Sequence, residues 1–127
     1  MLANTDAIAT VGVRDIVAAR TFYREVLELQ EDDARSHYSD FLIYQSGYAL
    51  VQVYQSSYAG TNKVPDITRD VGNRLADVVD TLSAEGVRFE HYDIPGMRRE
   101  GDIYLADGIK TAWLNDPDGN VLNINGT

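Results

Sequence analysis

The chain has 127 residues, 44% hydrophobic and 24% charged, with no cysteine. That supports one soluble globular domain with a real core, and it removes disulfides, thiolate metal sites and cysteine nucleophiles together. The formal charge of −9 excludes nucleic-acid phosphate as a natural partner, because Lys and Arg drive that contact, and it suits a cationic ligand.

The start of the chain, MLANTDAIATVGV, has neither a basic leader nor a long apolar run, so the expectation is a cytoplasmic protein without a signal peptide or membrane span. Residues 7–13 alternate as a strand does, and Asp15 is placed to cap a helix over 16–28 carrying Ile16, Ala19, Tyr23, Val26 and Leu27 at helical spacing. DFLIYQ and YALVQVY read as a hairpin turning at Ser46-Gly47, and SSYAGTNKVPD reads as a connector. The order then repeats. DITRDV (66–71) reads as a strand, Gly72-Asn73 as a turn and cap, and Leu75, Val78, Val79 and Leu82 as a helical stripe stopping at Gly86. VRFEHYDI reads as a strand and 95–108 as a loop serving as lid or pocket rim. KTAWLN and NVLNIN form a closing hairpin.

The chain thus reads βαβββ twice, an α+β duplication within a single domain spanning 1–127, with modules of about 5–60 and 65–127. The stretches VRDIVAARTFYREVLEL (13–29), GVRFEHYDIPG (86–96) and AWLNDPDGNVL (112–122) resemble the vicinal oxygen chelate superfamily of glyoxalases, bleomycin-resistance proteins and extradiol dioxygenases. The resemblance implies paired βαβββ modules forming a half-open barrel, commonly as a homodimer. It does not fix the chemistry.

Metal-binding members of that superfamily place His, Glu or Gln at repeat-related strand positions. The resemblance maps those positions to Ile8, about Val51, about Asp66 and Asn123. With one carboxylate among them, no metal and no cofactor are expected. His37 and His91 read as surface or loop residues, and neither a Ser-His-Asp set nor a phosphate-cradling glycine motif is legible.

What remains is an apolar pocket with a few polar points, the usual form of a small-molecule site. Strand parity puts Thr10 on the face of Ile8, and Thr111 and Trp113 near Asn123 and Asn125. In fosfomycin-resistance relatives, the positions matching Thr10 and Trp113 contact ligand. Tyr38, Tyr44, Tyr48, Tyr54 and Tyr58 cluster in the first half, while Tyr92 and Tyr104 flank the 95–108 loop. Candidate ligand-binding residues are Thr10, Tyr38, Tyr54, Asp70, Met97, Tyr104, Thr111, Trp113 and Asn123, with no catalytic residue assigned. Asp70 shares a face with Thr68, opposite Arg69, and could supply a counter-charge or a base. The expected function, in the manner of metal-free bleomycin-resistance members, is binding and sequestration of a small molecule, an antibiotic or other natural product of aromatic or cationic character, for self-resistance. A metal-independent lyase or isomerase using Asp70 or a tyrosine is the alternative.

Overall fold

The computed structural model describes residues 3–4, 6–33, 36, 41–62 and 64–127. His37 and Tyr38 lie outside the described residues. The chain divides into two compact units, residues 1–59 and 60–127, each built on its own mixed, open sheet.

In the first unit β1 (Ala9–Val13) leads to Asp15, whose carboxylate accepts from the Val17 and Ala18 amides at 3.0 and 3.1 Å. This N-cap satisfies orphan donors of helix α1 (Ile16–Thr21). The expected helix over 16–28 stops earlier and changes pitch. Phe22–Val26 form a π-helical turn, and Glu28 adopts a left-handed φ of 59° that ends it. Strands β2 (Gln30–Glu31), β3 (Phe41–Ser46) and β4 (Ala49–Gln55) follow. Ser46 pairs with Ala49, so the turn residues are Gly47-Tyr48, one position later than expected. Gly47 has the positive φ such a two-residue turn needs.

The sheet order is β1-β4-β3-β2, with β1 parallel to β4. The register puts Val11, Val13, Val51, Val53, Leu42 and Tyr44 on one face, all within 2% of full burial. Tyr23 of the π-helical turn stacks on Tyr44 there, with centroids 6.0 Å apart. The opposite face carries Thr10, Gly12, Gln52, Tyr54, Phe41 and Ile43.

In the second unit β5 (Ile67–Asp70) leads through a 3-10 turn (Gly72–Arg74) into α2 (Leu75–Ala84). Helix α2 buries Leu75, Val79 and Leu82 and terminates at Gly86, φ 86°. Its first turn lies so close to the last strand that a Cβ on Gly126 would come within 2.6 Å of both Leu75 Cβ and the Gly72 carbonyl.

The expected strand VRFEHYDI shrinks to β6 (Phe89–Glu90). The expected 95–108 loop is instead a strand pair, β7 (Arg98–Glu100) and β8 (Ile103–Ala106), followed by β9 (Ile109–Asn115) and β10 (Val121–Gly126). The order is β5-β10-β9-β8-β7, and β6 also pairs with β9. The place that β2 holds beside β3 is therefore shared in the second unit: β6 takes Trp113 and Leu114 of β9, while β8 takes Ile109–Thr111. Among the described residues no helix is long and apolar enough to cross a membrane.

Candidate functional site

The DPDGN segment is a structural knot. Asp116, 4% exposed, accepts at one carboxylate oxygen from the Asp118 and Asn120 amides (both 2.9 Å) and at the other from Asn120 Nδ2 (2.8 Å). Asn120 Oδ1 in turn accepts from the Gly60 amide at 3.2 Å. These bonds fix the turn between β9 and β10 and thereby set which residues face one another across the two strands.

That register pairs Asn123 with Trp113 and Asn125 with Thr111 on β9, and Asn123 with Thr68 and Asn125 with Asp70 on β5. On the far side of β9, Glu90 pairs with Trp113 and Tyr104 with Thr111. One sheet face thus collects Thr68, Asp70, Asn123, Asn125, Thr111, Trp113, Glu90 and Tyr104. The other face holds Ile67, Leu122, Ile124, Ala112 and Leu114 in the core.

Two chemistries meet on the first face. The first is an amide–hydroxyl relay: Asn123 Nδ2 donates to Thr111 Oγ1 at 2.7 Å and to the Ala112 carbonyl at 3.0 Å, and Thr111 Oγ1 donates to Asn125 Oδ1 at 2.8 Å. The second is a cluster of three rings. Tyr92 and Tyr104 both meet Trp113 edge-on, with centroids at 5.4 and 5.2 Å. Tyr104 is 2% exposed, Trp113 is half-buried and Tyr92 is exposed. Burial first, then the charge of Glu90 and the neighbouring Tyr104, raises the Tyr92 phenol above its ordinary value, so it stays a neutral hydrogen-bonding group.

Of the candidate ligand-binding residues, the second unit gathers Tyr104, Thr111, Trp113 and Asn123 on this face, with Asp70 at its β5 margin. Asp70 is exposed, and its carboxylate accepts from the Gly72 amide at 2.9 Å, an Asx turn leading into the 3-10 turn. Met97 is half-buried in the turn before β7, its amide bonded to the Ile94 carbonyl. Thr10 and Tyr54 sit on the first unit's sheet, where the Tyr54 ring covers its cross-strand partner Gly12. Tyr92 and Glu90 complete the aromatic face without having been among the candidates. Glu90 lies on this face through its β6 pairing with Trp113, and Tyr92, beyond the end of β6, reaches it through the Tyr104 hydroxyl.

The register also corrects the repeat alignment. Thr68 pairs with Asn123 in the second unit as Thr10 pairs with Gln52 in the first, so the counterpart of Asn123 is Gln52, not Val51. Val51 points to the opposite, buried face. The positions to test for a metal are therefore Ile8, Gln52, Asp66 and Asn123. Ile8 has no lone pair, the two amides carry no charge, and the Asn123 amide is committed to the sheet. Asp66 is the one carboxylate, and burial raises it above its ordinary value despite the Asn62 amide at 3.2 Å. This donor set does not fit a divalent ion. Among the described residues, no three His, Asp or Glu groups converge as ligands either.

His91 is exposed, and its Nε2 lies 2.6 Å from Asp102. Ser83 donates to Asp102, not to the imidazole, so the three are not arranged as a nucleophile, base and orienting acid.

Residues 6–124 match the glyoxalase/bleomycin resistance protein/dioxygenase superfamily. Among solved structures, the chain is similar to the fosfomycin resistance protein FosX of Listeria monocytogenes (12% identity, 100% of this chain and 95% of that one, TM-score 0.72). It is similar also to lactoylglutathione lyase of Agrobacterium tumefaciens (14%, 99% and 96%, TM-score 0.69) and to an integron cassette protein of V. cholerae (18%, 99% and 97%, TM-score 0.66). Comparison with curated proteins finds no match. These identities speak to the fold alone, while the superfamily match spans nearly the whole length: the chain belongs to the glyoxalase/bleomycin resistance protein/dioxygenase superfamily.

Proposed function

We propose that this protein binds and sequesters a flat, partly polar small molecule, an antibiotic or other natural product, without a metal and without turning it over. In this reading it is a bleomycin-resistance-like member acting as a homodimer. The observation that carries it is the Tyr92–Trp113–Tyr104 cluster standing beside the Asn123–Thr111–Asn125 relay on one sheet face. Rings supply contact area at low entropic cost, and fixed amides orient a ligand's polar edge. Glu90 and Asp70 on the same face favour a cationic ligand. The superfamily membership and the fosfomycin-resistance likeness of the fold are compatible with a resistance role.

Trp113 is the chain's single tryptophan, so its fluorescence reports on this face directly. Titration with glycopeptide, mitomycin and enediyne-type antibiotics is expected to quench Trp113 with sub-micromolar affinity for at least one class. Calorimetry is expected to show Trp113→Ala weakening that complex more than about tenfold. No quenching by any class, or recovery of a chemically altered ligand, would overturn the reading. Sedimentation equilibrium tests the dimer.

A further inference from the structure

Building on the binding role proposed above, we infer that the Tyr104 hydroxyl is a latch that fixes Tyr92 against Trp113, which makes Tyr104 the positioning residue of the aromatic wall. The two ends of this side chain do different things. Its ring is buried in β8 and meets Trp113 edge-on. Its hydroxyl accepts from the Tyr92 amide N–H and donates to the Tyr92 carbonyl at 2.8 Å. One phenol thus holds both polar groups of one residue.

Tyr92 needs that hold. Strand β6 ends at Glu90, so among the described residues Tyr92 has no strand partner, and the next backbone bond along the segment joins Met97 to Ile94. The neighbouring His91–Asp102 tie is an exposed side-chain pair. Tyr92 is itself 38% exposed. Without the hydroxyl, the Tyr92 amide and carbonyl turn to water, and the ring is free to leave the indole. A wall already in place spares a flat ligand the cost of ordering it, so the latch acts on affinity through Tyr92 and need not touch the ligand.

Tyr104→Phe keeps the ring and removes the hydroxyl. Amide exchange at Tyr92 is expected to quicken by about tenfold or more. Acrylamide quenching of Trp113 should rise toward that of Tyr92→Ala, with the melting temperature nearly unchanged. A general packing defect would move the melting temperature first. In the Tyr92→Ala background, Tyr104→Phe should add little further quenching, because both changes open the same contact.

Unchanged exchange and quenching in Tyr104→Phe would overturn the latch, as would fully additive quenching in the double variant. Should Tyr104→Phe fail to fold, exchange in the wild-type protein decides. Protection of the Tyr92 amide well above that of Asp93 supports the latch, and equal protection overturns it. None of these readouts uses a ligand. Absence of antibiotic binding therefore counts against the proposed function alone, and a failed latch test counts against the latch alone.

Discussion

The two halves of the chain share one grammar and use it differently. In the first unit the third and fourth strands of the βαβββ pattern meet at the two-residue turn Gly47-Tyr48, held by backbone pairing. In the second, the equivalent strands meet at the five-residue DPDGN turn, held by a buried carboxylate. The second unit also inserts the β7–β8 hairpin, which widens its sheet to six strands and brings Tyr104 beside Trp113. The first unit keeps four strands. Its tyrosines Tyr23 and Tyr44 stack in the core, beside an Arg20–Glu31 ion pair at 3.0 Å. Burial first and then the Glu31 charge raise the Tyr44 phenol. The two units share a frame, and the β7–β8 hairpin adds Tyr104 to the Trp113 and Tyr92 rings.

The largest difference between the halves should come from the turns. Asp116→Ala strands three N–H donors at a residue that is 4% exposed, and the expected cost is about 3 kcal/mol. Urea unfolding measures it. A loss below about 1 kcal/mol would mean that the turn, like its counterpart, is held by backbone pairing alone.

Two glycines sharpen the same contrast. Both have positive φ, 61° at Gly47 and 73° at Gly60. A Cβ at Gly47 meets nothing within 4 Å, whereas at Gly60 it would lie 2.1 Å from the Asp118 carbonyl oxygen. Gly47→Ala should cost about 1 kcal/mol from the backbone alone, and Gly60→Ala about 3 kcal/mol, because it also pushes the DPDGN turn away. Equal costs for the two variants would show that the turn yields freely.

Gln52 and Asn123 occupy equivalent places and offer the next test. Asn123 is 7% exposed and makes two hydrogen bonds, while Gln52 is half-buried with no side-chain hydrogen bond among the described residues. Asn123→Leu is expected to cost about 1–2 kcal/mol and Gln52→Leu less than about 0.5 kcal/mol. The reverse order in urea unfolding would undo the equivalence drawn from the strand register.

Much of this frame was legible beforehand, because the β-rich apolar runs at 7–13, 40–45, 48–54 and 110–115 and the Leu75–Val78–Val79–Leu82 stripe follow from burying apolar side chains in strands and on one helix face. The β7–β8 pair was not. Arg98, Arg99 and Glu100 are all exposed and charged, so β7 has no apolar face to betray a strand, and Gly101-Asp102 reads as one more loop signal. Strand β2 is two residues long, too short for any period to register. The one-residue slip from Gln52 to Val51 has a different origin. Turns of two and five residues cannot be aligned by counting, and a slip of one residue exchanges the faces of a strand. At the candidate site, Trp113, Thr111 and Asn123 were reachable by parity. Tyr92 joins them through a hydroxyl on another strand, a contact that no local pattern encodes.

The smallest expected effect concerns Asp66, which takes in the second unit the place of Ile8 in the first. Burial raises its pKa above the unfolded value, with the Asn62 amide working against that. A carboxyl raised on folding contributes its stability below the unfolded pKa and loses it as pH climbs through the folded one. The ionised form therefore weighs slightly against the fold at neutral pH. Asp66→Asn removes the titration while keeping the shape, so its melting temperature should gain on the wild type as pH rises from about 3 to about 7. Ile8→Asp, at an exposed place, should show no such drift. Parallel curves for wild type and Asp66→Asn would mean that the Asn62 bond compensates the burial in full. Asp66 would then be an ordinary carboxylate, better suited to holding a cation than its surroundings imply.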